Sequence, residues 1–125
     1  MARKIMKLGF AVALVALVIA AAVVVGFLHQ TMVLEWDFVM QRQIIAVQNG
    51  GRPAIRISGL SGHSALSVKD ISVQRSGSAQ LVIVRVFLAR RGTTGNFHVD
   101  VPVQDGINEI RFGNQEALIW QRPTR

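Results

Sequence analysis

Apolar side chains are distributed along this chain in two patterns that do not mix. From Leu8 to Leu28 they run on (LGFAVALVALVIAAAVVVGFL) with no charged residue among them. From Gln43 onward they alternate with polar residues in short runs, separated by clusters of Gly, Asn, Asp, Ser and Pro. The first pattern predicts a transmembrane helix, because roughly 21 residues at about 1.5 Å each reach about 32 Å, the depth of a bilayer's hydrocarbon layer. A lone span can satisfy its backbone only as a helix. The second pattern predicts a small all-β domain.

Residues 1–7 include Arg3, Lys4 and Lys7, and the next Lys or Arg after the span is Arg42. A basic start followed by an apolar run also opens a cleavable signal peptide, and Ala20-Ala21-Ala22 offers small residues for a cut. Cleavage after Ala22 would leave Val-Val-Val-Gly-Phe-Leu where signal peptides turn polar, so an uncleaved anchor is expected. The charge asymmetry orients the N-terminus to the cytoplasm. The β-domain is then expected outside, in the periplasm if the membrane is a bacterial inner membrane.

Residues 29–42 (HQTMVLEWDFVMQR) fit two templates. Period two puts Leu34, Trp36, Phe38 and Met40 on one face, whereas a helical period gathers Met32, Trp36 and Val39 or Met40, with Trp36 at headgroup level. The expectation is a membrane-proximal connector, a short amphipathic or extended continuation of the span.

Seven strands are predicted beyond it: 43–48, 54–58, 66–74, 80–89, 96–103, 107–112 and 117–122. Asn49-Gly50-Gly51 and Ser76-Gly77-Ser78 are tight-turn signals, and Asp105-Gly106 predicts a further hairpin. A phase slip between Val68 and Ile71 predicts a β-bulge at Lys69-Asp70. Pro102 belongs at an edge or a bulge. The most apolar strand, QLVIVRVFLA, is expected at the centre of a sheet, with Val82, Val84, Val86 and Leu88 on one face and Leu81, Ile83, Arg85 and Phe87 on the other. Short strands at this spacing predict an antiparallel sandwich of immunoglobulin-like type, with a small β-barrel as the alternative.

The formal charge of +7 includes three cations ahead of the span, leaving 11 basic against 7 acidic residues beyond it. These are scattered and lack aromatic interleaving, so nucleic acid is not an expected partner. With no cysteine, disulfides and thiolate chemistry are excluded. His29, His63 and His98 are far apart with no ligand neighbour, so neither a metal nor a haem is expected. Ser61, His63 and Asp70 supply the residue types of a hydrolytic triad but lack its Gly-x-Ser-x-Gly elbow. Gly92-Thr93-Thr94-Gly95 lacks the Lys of a phosphate loop, and Asp100, Asp105, Glu109 and Glu116 show no pairing.

No catalytic residue, cofactor or small-molecule substrate is therefore expected. The function expected is that of a non-catalytic accessory or structural subunit of a larger membrane complex, such as an energy-transducing, respiratory or photosynthetic one. Its partners would be membrane lipid and other transmembrane subunits. Contacts are expected through one helical face of residues 13–24, whose Ala content permits close packing, and through Trp36, Phe38, Leu81, Ile83, Arg85 and Phe87. The alternative is an independent anchored binding module such as an adhesin, sensor or envelope chaperone.

Overall fold

The computed structural model describes residues 2–28, 30–63, 65–89 and 91–124, and the side chains of all of these except 2–6, 27 and 28. The chain divides into two compact units, Met1–Gln30 and Thr31–Arg125. The first holds one helix, α1 (Ala2–Leu28), of which Lys7–Gly26 is long and apolar enough to cross a membrane. Its side chains from residue 7 to residue 26 are exposed. In water such a surface would be costly, about 25 cal/mol for each Å² of apolar area. In lipid it costs nothing.

Among the described residues the second unit holds eight strands: β1 (Met32–Val33), β2 (Met40–Asn49), β3 (Arg52–Leu60), β4 (Leu66–Ser76), β5 (Ala79–Leu88), β6 (Asn96–Pro102), β7 (Glu109–Phe112) and β8 (Ala117–Gln121). The seven strands predicted beyond the connector are all among them. They form two sheets, β2-β3-β6 and a five-stranded sheet centred on β5, and neither closes into a barrel. Both sheets contribute to one core, with Ile55, Ile57, Phe97 and Val101 from the first and Val82, Val84, Val86, Ile110 and Phe112 from the second.

The local signals act as read. Gly50 and Gly51 both take positive φ (62° and 81°), which lets a two-residue turn join β2 to β3 with Asn49 opposite Arg52. The register of β4 on β5 slips between Val68 and Asp70, the site expected for the bulge. β5 pairs along one edge with β4 and along the other with β1 and β7, so it is central.

Two expectations are corrected. Asp105-Gly106 is not a hairpin turn: β6 pairs with β3 and β7 with β5, so the turn carries the chain from one sheet to the other. The domain is also not wholly antiparallel, because β7 lies parallel to β5, with Ala79 opposite Glu109 and Val82 opposite Phe112. Turn chemistry specifies a change of direction; it does not specify which strand the next one pairs with.

The stretch expected as a connector is built into the β-domain from Thr31 onward. Leu34 and Val39 are buried in the core, and β1 continues the edge of β5. His29 lies outside the described residues.

Candidate functional site

Two devices hold residues 32–39 against the domain. The Leu34 N–H donates to the Val84 carbonyl (2.8 Å), extending β1 along β5. The Glu35 carboxylate accepts backbone N–H bonds from Asn114 (2.9 Å) and Gln115 (3.2 Å), clipping this segment to the turn between β7 and β8. Gly113 makes the clip possible: its φ is +79°, and a Cβ there would strike the Glu35 carboxylate. A single 3-10 turn, Trp36–Phe38, follows, closed by Phe38 N–H to Glu35 O (3.0 Å) and Val39 N–H to Trp36 O (3.1 Å).

That turn sends its two aromatic rings in different directions. Trp36 packs inward on Phe112, ring centroids 5.1 Å apart, with the Arg42 guanidinium 5.3 Å from the Trp36 centroid on the outside. Phe38 points outward and is 69% exposed. A large aromatic so exposed on a small domain is more informative than a lone surface leucine, because apolar neighbours surround it. Met32 and Met40, both more than half bare or close to it, are exposed nearby.

Between this turn and the loop 61–66 lies a cleft of about 360 Å³, lined chiefly by Met32, Leu34, Phe38, Leu66 and Val86, with Ser61 and His63 at its polar side. The wall is fixed at Ser61 and Gly62. Gly62 approaches the Phe38 carbonyl so closely that a Cβ would collide with it, and the Ser61 N–H donates to Gly95 O (2.9 Å). The volume falls at the small end of ligand pockets, and the lining is almost wholly hydrocarbon. Such a surface takes an apolar side chain or an aliphatic group; Glu35, the carboxylate among its lining, accepts the Asn114 and Gln115 amides.

The residue types that suggested hydrolytic chemistry are not brought together as a relay. The Ser61 hydroxyl is shared between the carbonyls of His63 and Leu66, both at 3.0 Å, rather than directed at an imidazole. His63 Nδ1 accepts the Ala65 N–H (3.0 Å), which leaves Nε2 as the protonated nitrogen of the neutral ring. Asp70 accepts from Arg85 (3.1 Å). Among the described residues, no three His, Asp or Glu side chains converge where they could hold a metal ion. The Thr93 hydroxyl in the Gly92–Gly95 loop donates to Ser67 Oγ (2.9 Å), a tie within the fold.

Two of the four carboxylates left unpaired by the sequence pattern, Asp100 and Glu109, find arginines. Arg56 grips Asp100 with two bonds, Nε to Oδ1 at 2.8 Å and Nη2 to Oδ2 at 3.1 Å, across paired positions of β3 and β6. These bonds hold the Asp100 carboxyl below its usual pKa and raise that of Arg56. Arg111 bonds Glu109 at 3.0 Å, and this bond raises the Arg111 pKa.

The residues proposed as partner contacts have distinct settings. Phe38 is open and beside the cleft. Trp36 is half-buried against Phe112. Leu81, Arg85 and Phe87 are half-buried on the face of β5 turned from the core, and the carboxylate that meets Arg85 is the chain's own Asp70. Ile83, in the same row, is only 8% exposed, opposite Ser72. Glu35 was missed by pattern reading, because its partners lie 79 and 80 residues away. The cleft was missed for the same reason; its one sequence signal is Phe38 following Trp36 at a spacing that no single face of a 3-10 turn can bury. Compared with known protein families, characterised proteins and solved structures, the chain finds no match.

Proposed function

We propose that this chain is a non-catalytic accessory subunit of a larger membrane assembly. It is anchored by α1 with its N-terminus in the cytoplasm, and its sandwich-like β-domain meets partners on the outer side, the periplasm of a bacterial cell. The observation that carries the reading is the exposed apolar rim of Met32, Phe38 and Met40 around a hydrocarbon-lined cleft. A partner side chain seated there would remove this rim from water, and interface energy concentrates at such aromatic anchors.

Purification of the full chain from its own membranes in mild detergent tests the reading. Stoichiometric companion proteins are expected, and Phe38→Ser should release them while leaving the domain's melting temperature within about 2 °C of wild type, since so exposed a ring contributes little to the fold. A particle containing only this chain would refute it. The cleft favours a second reading, an independent anchored module binding a small apolar ligand; a ligand that travels with that lone particle would support it.

A further inference from the structure

Every open sheet invites additional strands at its edges, and natural proteins blunt those edges with charge, proline, bulges or brevity. Four edges of this domain are blunted in that way. β1 is two residues long and β8 five. β4 is bulged at Lys69-Asp70 and carries Arg75. β6 alternates His98 and Asp100 and ends on Pro102.

β2 carries its bulge and its one charged residue, Arg42, at its start, and from Gln43 to Asn49 it has none of these protections. Among the described residues it pairs with β3 alone, its ladder running without a break from Gln43–Ser58 to Asn49–Arg52. Over Gln43–Asn49 (QIIAVQN) there is no charge and no proline. The strand is uncovered on both faces as well: Ile44 is 38% and Ile45 49% exposed, and only Val47 is half-buried. Alternate N–H and C=O groups of these seven residues point away from β3, toward an empty edge. The run is delimited at one end by Gln41, whose φ of 52° accompanies a register shift, and at the other by the Gly50-Gly51 turn.

We infer that a second copy of this chain occupies that edge, β2 pairing antiparallel with β2 of its partner about a two-fold axis at Ala46. The stretch is suited to meeting itself. A symmetric antiparallel pair must match residues whose positions sum to an even number, and centring the seven-residue run places Ala46 opposite Ala46. Ile45 then faces Val47, a β-branched pair on the face shared with Arg56 and Ser58. Gln43 faces Asn49, amide to amide, and Ile44 faces Gln48. No like charges are opposed: Arg42 falls opposite Gly50. The two three-stranded sheets become one sheet of six.

A seven-residue ladder alone is smaller than the roughly 1,200 Å² of a stable interface. Confinement of both copies to one membrane raises their effective concentration and offsets part of that deficit. α1 adds an independent observation. Gly9, Ala13, Ala16 and Ala20 recur at intervals of four, three and four on a helix, hence on one face, and a Cβ at Gly9 would meet nothing. Small residues so spaced let two spans approach closely. The inference does not depend on the accessory-subunit reading, since a homodimer forms whether or not other subunits join it.

The test uses the full chain, which has no cysteine of its own, expressed alone and kept in its membrane. Single cysteines are placed at each position from 43 to 49 and oxidised mildly. Ala46→Cys should give a disulfide-linked dimer, because opposed residues lie about 4.5–5.5 Å apart, within disulfide reach. Gln43→Cys and Asn49→Cys should not link to themselves, their own copies being about 20 Å away, whereas membranes carrying both variants should link 43 to 49. Ile45→Lys, at an exposed position, should abolish the Ala46→Cys dimer while tryptophan fluorescence shows the domain still folded. Equal linking at all seven positions, a maximum displaced from 46, or no linking by a folded Ala46→Cys chain would overturn the inference.

Discussion

Glu35→Ala measures how far residues 31–39 depend on a single carboxylate to remain part of the β-domain. The substitution removes two charge-assisted hydrogen bonds, to the N–H groups of Asn114 and Gln115. Bonds of this kind contribute about 1.5–3 kcal/mol each when water is excluded. Both donors here lie at the surface, where water can replace the carboxylate, so the expected loss is about 1–2 kcal/mol in total. For about 95 residues, with a stability of roughly 5–14 kcal/mol, that is a substantial fraction. At about 4–8 °C for each kcal/mol in a domain of this size, the melting temperature should fall by roughly 5–15 °C.

The assay is intrinsic fluorescence of the full chain in detergent. Trp36 and Trp120 are the only tryptophans, and both belong to the β-domain, so α1 is silent. Hydrogen exchange supplies the local readout: the Asn114 and Gln115 amides should lose protection while the Ile57 amide in β3 keeps it. Glu35→Gln, which retains one acceptor oxygen without charge, should fall between. A Glu35→Ala chain that melts within about 1 °C of wild type with both amides still protected would refute the clip.

Phe112→Ala should cost about 3–5 kcal/mol, near the upper end, since the ring is fully buried and touches both Trp36 and Phe97; urea unfolding measures it. Gly59→Ala should destabilise by about 1–3 kcal/mol in the same assay, because its Cβ would collide with Val39 and lie 3.1 Å from the Met40 carbonyl oxygen. Ser72→Ala should be neutral or stabilising by up to about 1–2 kcal/mol, its hydroxyl being buried with no hydrogen-bond partner; a loss above about 1 kcal/mol would show that the hydroxyl is satisfied. Because Arg56 holds the Asp100 carboxyl below its usual pKa, the pair stabilises the fold above about pH 4 and loses that contribution as pH falls through the lowered folded-state value. Urea midpoints followed from pH 6 to pH 2 should therefore fall less steeply in Asp100→Asn; superimposable profiles would refute the pairing.

What could be read in advance was what is written within a few residues. The long apolar helix, the seven strands, the Gly50-Gly51 turn, the bulge beside Lys69 and the central place of β5 each follow from a local period or a turn residue. Arg56–Asp100, Glu35–Asn114 and the parallel β5–β7 pair join residues far apart, and no local signal encodes them. Asp105-Gly106 illustrates the boundary. The dipeptide correctly marks a sharp turn, yet β7 pairs with β5 and β8 rather than with β6, a choice that the turn residues do not encode.

The same boundary explains why alternation alone could not rank the two faces of β5. Val82, Val84 and Val86 alternate with Leu81, Ile83, Arg85 and Phe87, and hydropathy gives both rows a claim to cover. The structure separates them by neighbours. The valine row shares one core with Ile57, Phe97 and Phe112, whereas the other row is flanked by residues of its own sheet, among them Ser72 beside Ile83 and Asp70 and Val33 on either side of Arg85. Flanking cover suffices to bury Ile83 to 8% while Leu81 and Phe87 stay half-open. A charge at Ile83 is therefore expected to unfold the domain, whereas a charge at the exposed Phe38 is not. Only the second can separate loss of a partner from loss of the fold, so Phe38 is where the accessory-subunit reading has to be tested.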